Sequence, residues 1–177
     1  LFLDTPADQY DRVLDINFGG VVNCCRAFGA RMVARGMGGH IVNVASMAAY
    51  SPTQAMNAYA TSKAAVFMFS DCLRAELDSA GIGLTTVCPG VIDTNIIDGT
   101  RFDVPTHKRS EVETLRAQIK KGFALRRYGP EKVAKAIVSA VQNNTPVRPV
   151  TPEAYLVYGV AHALPQVMRS TARANLG

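Results

Sequence analysis

The sequence predicts an α/β fold, an open parallel sheet with helices packed on its faces. Two short apolar runs and the helical pattern between them carry that prediction. Ile41-Val42-Asn43-Val44-Ala45 is too short for a helix and rich in β-branched residues, which reads as a buried parallel strand. Leu84 to Cys88 is a second such run, closed by Pro89-Gly90. Between them, residues 57–79 carry Val66, Phe69, Leu73 and Leu77 at helical spacing. Strand, helix and strand in that order are the unit of a parallel sheet.

The first helix is expected ahead of this unit. Thr5-Pro6-Ala7-Asp8 reads as its start, with Thr5 as N-cap, Pro6 at the first helical position and Asp8 at the third. Val13, Leu14, Phe18, Val21, Cys25, Phe28 and Met32 then recur at helical spacing to about Arg35, where Gly36, Gly38 and Gly39 end the element. Asn17 lies on the same broad stripe; by itself it is as readily a buried asparagine bonded to backbone as a functional residue. Gly19 and Gly20 are costly in a plain helix interior, so they predict a local distortion or close helix packing. His40, just before the first strand, reads as a surface residue. Phe67 and Met68 broaden the stripe of the second helix and offer a face to a partner subunit. Gly81 and Gly83 bracket the turn into the second strand.

Chemistry concentrates between Ser46 and Lys63. Ser46 stands at the carboxyl end of the first strand, where open α/β sheets keep their ligand crevice. Tyr59 and Lys63 are four apart on the following helix, so both side chains leave one face, one turn apart. A phenol held near an ammonium is an acid–base device, because the cation favours the phenolate. About 0.2 Tyr-x-x-x-Lys pairs are expected by chance in a chain of this composition, so the spacing alone is a weak signal. Pro89-Gly90 adds a strand end that cannot extend the ladder and a position where another group can approach the backbone closely; alone it is equally an ordinary strand-ending turn.

Residues 95–127 lack a clean strand or core pattern. Asn95-Ile96-Ile97 either packs on a substrate or anchors the loop. Ser110 to Glu113 is a capping box, which predicts a short helix over about 111–121; nothing orients His107 for catalysis. Gly129-Pro130-Glu131 opens a further helix with Val133, Ala134, Ile137, Val138 and Val141 on one face, closed by Asn143-Asn144. Thr145 to Val150 holds two prolines and fits an edge strand. From Pro152 a mostly apolar helix follows, which Pro165 should kink or break.

Composition narrows the class. With 177 residues, 48% hydrophobic and 19% charged, the prior is one globular domain. No apolar stretch approaches the roughly 20 residues of a membrane span, and no signal peptide is visible, since Leu1-Phe2-Leu3 is followed at once by Asp4. A cytoplasmic protein is expected. Cys24, Cys25, Cys72 and Cys88 show no metal spacing and no secreted framework, so no metal is expected and the thiols read as reduced, buried and inert. The net charge of +5 is local: residues 101–127 hold eight Lys/Arg against three Asp/Glu. That argues against a nucleic-acid face spread over the domain. It is either a solvated loop and helix or a mouth that attracts an anionic substrate or cofactor phosphate.

Asn17 in Asn17-Phe18-Gly19-Gly20, Ser46, Tyr59 with Lys63, and Pro89-Gly90-Val91-Ile92-Asp93-Thr94 occur in one order along most of the chain. In these motifs the chain resembles the short-chain dehydrogenase/reductase family. The resemblance implies a Rossmann domain of which residues 1–177 are the later part, the first strands and glycine-rich loop being absent here. It makes about 95–127 the substrate lid and about 151–177 the tail. It implies NAD or NADP as cofactor and interconversion of a hydroxyl and a carbonyl in a small-molecule substrate. Tyr59 would exchange the proton, Lys63 hold the nicotinamide ribose, and Ser46 hydrogen-bond the substrate oxygen. Asn17 would organise a helix kink and a water linking Lys63 to solvent. Pro89, Gly90, Val91, Ile92 and Thr94 would wall the nicotinamide pocket, backbone groups near Val91 and Ile92 holding the carboxamide. The complete protein is expected to be a homodimer or homotetramer, and these residues alone to be inactive. Two alternatives stand beside this: a non-catalytic subunit of the same family, and a module of a multidomain enzyme fused to a hydrolase. No Gly-x-Ser-x-Gly occurs, so Ser46 is not a hydrolase nucleophile.

Overall fold

The computed structural model describes residues 1–54, 56–92, 114, 117 and 128–173. Three parallel strands form its sheet: β1 (Gly39–Val44), β2 (Ile82–Cys88) and β3 (Val147–Pro149), in the order β1-β2-β3. Register is fixed by Ile41 opposite Leu84, Val44 opposite Val87, and Cys88 opposite Pro149. β2 is central and buried along nearly its whole length, as expected for a parallel strand covered on both faces. β3, with Pro149 in it, takes an edge. Among the described residues no strand pairs with the other side of β1, and Val44 there stays 46% exposed.

The predicted first helix forms as one helical run in three parts. α1 (Ala7–Leu14) passes through a π-helical segment, Asp15–Gly19, into α2 (Gly20–Arg35). Gly36 ends it in the left-handed region at φ +67°, which a glycine adopts without a Cβ penalty. The start differs from expectation by one residue. The cap position belongs to Pro6, whose carbonyl accepts from the Gln9 and Tyr10 amides, while the Thr5 hydroxyl turns back to the Leu1 carbonyl at 2.9 Å. Gly19 and Gly20 have open space where a Cβ would stand, so they accompany the π distortion and not a close helix contact.

α3 (Asn57–Leu77) packs on β1 and β2 and against the π segment. Its buried line is Ser62, Val66, Ser70 and Leu77, half of it polar; Phe69 is half-buried and meets the Phe18 ring edge-on at 5.8 Å. The polar members are satisfied. Asn43 of β1 donates to the Ser70 hydroxyl at 2.9 Å and accepts from the Cys25 thiol at 3.4 Å, and Ser70 donates to the Val66 carbonyl. Fully hydrogen-bonded burial of this kind pins α2, β1 and α3 to one arrangement.

Four expectations change. Phe28 is 61% exposed, because Cys25 and Gly29 are the α2 residues that face the sheet, with Gly29 close to Ile41. His40 is half-buried, one ring nitrogen 2.8 Å from the Thr85 hydroxyl. Only Cys25 and Cys88 are buried thiols; Cys24 and Cys72 lie on outward helix faces. The α4 helix (Pro130–Gln142) buries Ala140 and leaves Ala134 and Val138 exposed, so its inward face is turned from the one expected.

After β3, α5 (Pro152–Ala163) and α6 (Pro165–Thr171) meet at Leu164, where Pro165 breaks the helix as expected. No helix of the described residues is long and apolar enough to cross a membrane, and no group of three or more His, Cys, Asp or Glu among them could hold a metal ion. Of the helix predicted over 111–121 only Thr114 and Ala117 are described, both helical; His107 and Thr94 lie outside the described residues.

Candidate active site

The strand ends build the site. Ser46 follows β1 in extended conformation, and its hydroxyl accepts from the Ala48 amide at 3.1 Å, which caps the 3-10 turn Met47–Ala49. The Ala45 amide reaches the Val87 carbonyl at 2.8 Å and the Met47 amide reaches the Pro89 carbonyl at 2.9 Å, so the exits of β1 and β2 are bonded to each other. A crevice outside carboxyl strand ends is where open α/β sheets bind ligands.

α3 brings Tyr59 and Lys63 to the β1 exit. The Lys63 ammonium donates to the Val44 carbonyl at 3.0 Å and stands 5.9 Å from the centre of the Tyr59 ring. Lys63 is half-buried, and burial pulls its pKa down from the ordinary lysine value, with Cys88 acting weakly the other way.

Two other groups near this point are excluded as acid–base or nucleophilic candidates. Burial pushes the Cys88 thiol up to about 12, with the Asp71 charge adding to it, and the Ser46 hydrogen bond and Lys63 only partly offsetting it. Cys88 is therefore a neutral, inert thiol at neutral pH. Tyr50, four residues after Ser46, donates to the Ala154 carbonyl at 3.3 Å and packs edge-on against Phe67 and Tyr158. Burial drives its hydroxyl well above the usual tyrosine range, so Tyr50 ties the Ser46 loop to α5.

Asn17 sits in the π segment, a distortion that tends to occur at functional positions. Its side-chain amide donates to the Ser62 hydroxyl at 3.1 Å, and Ser62 donates to the Tyr59 carbonyl at 2.7 Å. Asn17 and Tyr59 are thus joined through a fully buried serine that sequence analysis passed over. Its position between Tyr59 and Lys63 was the available signal. Tyr10 adds a second tie, donating to Asn57 at the start of α3 at 3.0 Å.

The second wall is Pro89-Gly90-Val91-Ile92. A Cβ on Gly90 would lie 2.2 Å from the Thr151 hydroxyl and 2.8 Å from a Glu153 carboxylate oxygen, so only glycine fits. The Val91 amide donates to that Glu153 oxygen at 3.0 Å. Glu153 was also missed: Thr151-Pro152-Glu153 reads in sequence as nothing more than a helix start.

Comparison with known proteins now decides the family. The family model described as short chain dehydrogenase matches residues 1–104. The chain belongs to that family. It is 66% identical over 172 residues to the protein named "Probable oxidoreductase EphD" of Mycobacterium tuberculosis, a match covering 97% of this chain and 29% of that relative's length. Among solved structures, a short chain dehydrogenase/reductase from Burkholderia phymatum in complex with NAD superposes with a TM-score of 0.80 at 22% identity, covering 99% of this chain and 64% of that one. A short chain dehydrogenase from Burkholderia cenocepacia in complex with NADP gives 0.70 at 20% identity, covering 92% and 58%. The fold is accordingly the Rossmann type of this family, and the chain spans only part of the proteins it matches.

Proposed function

We propose that the chain carries the proton-transfer and nicotinamide side of an NAD(P)-dependent oxidoreductase that interconverts a hydroxyl and a carbonyl. The observation that carries this reading is the placement of Lys63, between Tyr59 and the β1 exit that presents Ser46. The residues fit the nicotinamide half of a dinucleotide: an ammonium able to donate to ribose hydroxyls, and a strand end where glycine leaves no side chain in the way. NAD or NADP supplies or accepts the hydride.

The chain's own residues do the rest. Tyr59 gives its proton to a carbonyl oxygen on reduction and takes it back from the hydroxyl on oxidation. Lys63 stands beside the Tyr59 ring and holds the ribose. Ser46 hydrogen-bonds the substrate oxygen. Asn17, bound through Ser62 to the tyrosine's helix, sets the position of that helix and supports proton exchange with solvent. The substrate is a small alcohol or carbonyl compound. The exposed Ile16, Phe28 and Met68 on the outer helices support a homodimer or homotetramer of the complete, cytoplasmic protein.

A second reading has one observation of its own. The M. tuberculosis relative at 66% identity matches over only 29% of its length, which favours this unit as a module of a multidomain enzyme. In either case we expect residues 1–177 alone to be inactive; the outer edge of β1, which has no partner strand among the described residues, is open to pairing with a further strand. The test is calorimetric titration of NADH and NADPH into the full-length protein and into residues 1–177. Binding by the full-length protein alone supports the reading, and absence of binding by both contradicts it.

A further inference from the structure

The first turn of α5 touches both strand ends of the site. Thr151 is fully buried and its hydroxyl accepts from the Ala154 amide at 3.3 Å, closing the helix start. Two residues on, the half-buried Glu153 accepts the Val91 amide at 3.0 Å, and Thr151 and Glu153 together fill the space beside Gly90. On the other side of the same turn the Ala154 carbonyl accepts the Tyr50 hydroxyl from the Ser46 loop. The two loops are also bonded directly, Met47 amide to Pro89 carbonyl.

Gly90 has the widest conformational freedom of any residue in this wall. An amide following it points where its partner holds it. The partner is a carboxylate oxygen, a stronger acceptor than a neutral one. We infer that Glu153 is a positioning residue for the nicotinamide end of the cofactor: by holding the Val91 amide it fixes the turn after Gly90, so that the backbone at Ile92 faces the carboxamide. The inference rests on the proposed function above and adds to it a residue from the far end of the chain. It also commits the Val91 amide to the protein, leaving Ile92 as the backbone contact.

The test uses the full-length protein and two probes: NADH or NADPH, whichever binds more tightly, and the matching ADP-ribose or 2′-phospho-ADP-ribose, which lacks nicotinamide. Glu153→Ala should weaken the complete dinucleotide about tenfold, the scale of one lost hydrogen bond to a charged group, and leave the truncated probe within about twofold. Glu153→Gln keeps an acceptor oxygen and should recover most of the loss. Glu153→Met, similar in length and without an acceptor, takes the place of the alanine variant if that one unfolds, with the same expectation. Unchanged dinucleotide affinity, equal loss for both probes, or a glutamine variant as weak as alanine would overturn the inference. A wild-type protein that binds neither probe would remove the functional reading itself, an outcome visible before any variant is made.

Discussion

The Lys63 ammonium lies 3.0 Å from the Val44 carbonyl, at the last residue of β1 and two residues before Ser46. A lysine drawn into a half-buried place costs stability, because burial disfavours its charged form. The sign is definite. Its folded-state pKa is below its unfolded value, so the unfolded chain holds the proton more tightly. The cost is therefore full below the folded pKa and is relieved as pH rises through it toward 10.5, the ordinary value. Lys63→Met should thus gain stability relative to wild type at pH 7, less so at pH 10, while losing cofactor affinity and turnover. Urea unfolding at the two pH values checks this; a stability difference that widens with pH would contradict it.

The site pairs Gly90 with Thr151 so closely that a methyl group cannot enter. Gly90→Ala should cost about 1–3 kcal/mol, as overpacking does, and lower cofactor affinity. Thr151→Ala removes the nearer obstruction and should restore part of both in the double variant. Thermal melts and cofactor titration read the two effects; a Gly90→Ala protein that melts and binds like wild type would count against the close packing.

The strand–helix–strand unit was legible because each element carries its own period, and β1, α3 and β2 lie where the apolar runs put them. Tyr59 and Lys63 were legible as a pair because helical geometry dictates that neighbours four apart share a face. What could not be read depends on contacts between distant segments. Phe28 has the right spacing for a core residue, but Gly29 lets α2 approach Ile41 and turns Phe28 outward. His40 is drawn in by Thr85, 45 positions away, and Glu153 meets Val91 across 62. Neither partner leaves a local mark. Ser62 was missed because a serine in a helix usually faces water, and only the Asn17 contact gives it a purpose.

Asn17, Ser62 and the Tyr59 carbonyl form one chain of hydrogen bonds, so their variants should not add. Ser62→Ala and Asn17→Ala should each lower stability by about 1–3 kcal/mol, by leaving a buried polar partner unsatisfied, and the double variant should lose less than the sum. A double-mutant cycle by chemical denaturation measures the coupling. Strict additivity would show that the contact carries no energy.

The thiols divide in two. Cys24 and Cys72 are exposed, whereas Cys25 and Cys88 are buried and burial raises the pKa of each of the latter pair. A thiol reagent should label Cys24 and Cys72 quickly in the native state, and Cys25 and Cys88 only on unfolding. Mass spectrometry of modified peptides assigns the sites. Rapid native labelling of Cys88 with loss of activity would instead make it a reactive group of the site.

The central claim is that Tyr59 moves the proton. Tyr59 presents its hydroxyl on the face of α3 that also carries Lys63, whose ammonium stands 5.9 Å from the ring centre. Tyr59→Phe removes only the hydroxyl, so packing should change little, and Lys63, the proposed ribose contact, stays in place. The decisive measurement is turnover of Tyr59→Phe in the full-length protein with an accepted alcohol or ketone, a deuteride isotope effect confirming that hydride transfer limits the rate. The account predicts a fall of at least about 10²–10⁴-fold with cofactor affinity nearly unchanged. More than a tenth of wild-type turnover under those conditions would contradict it.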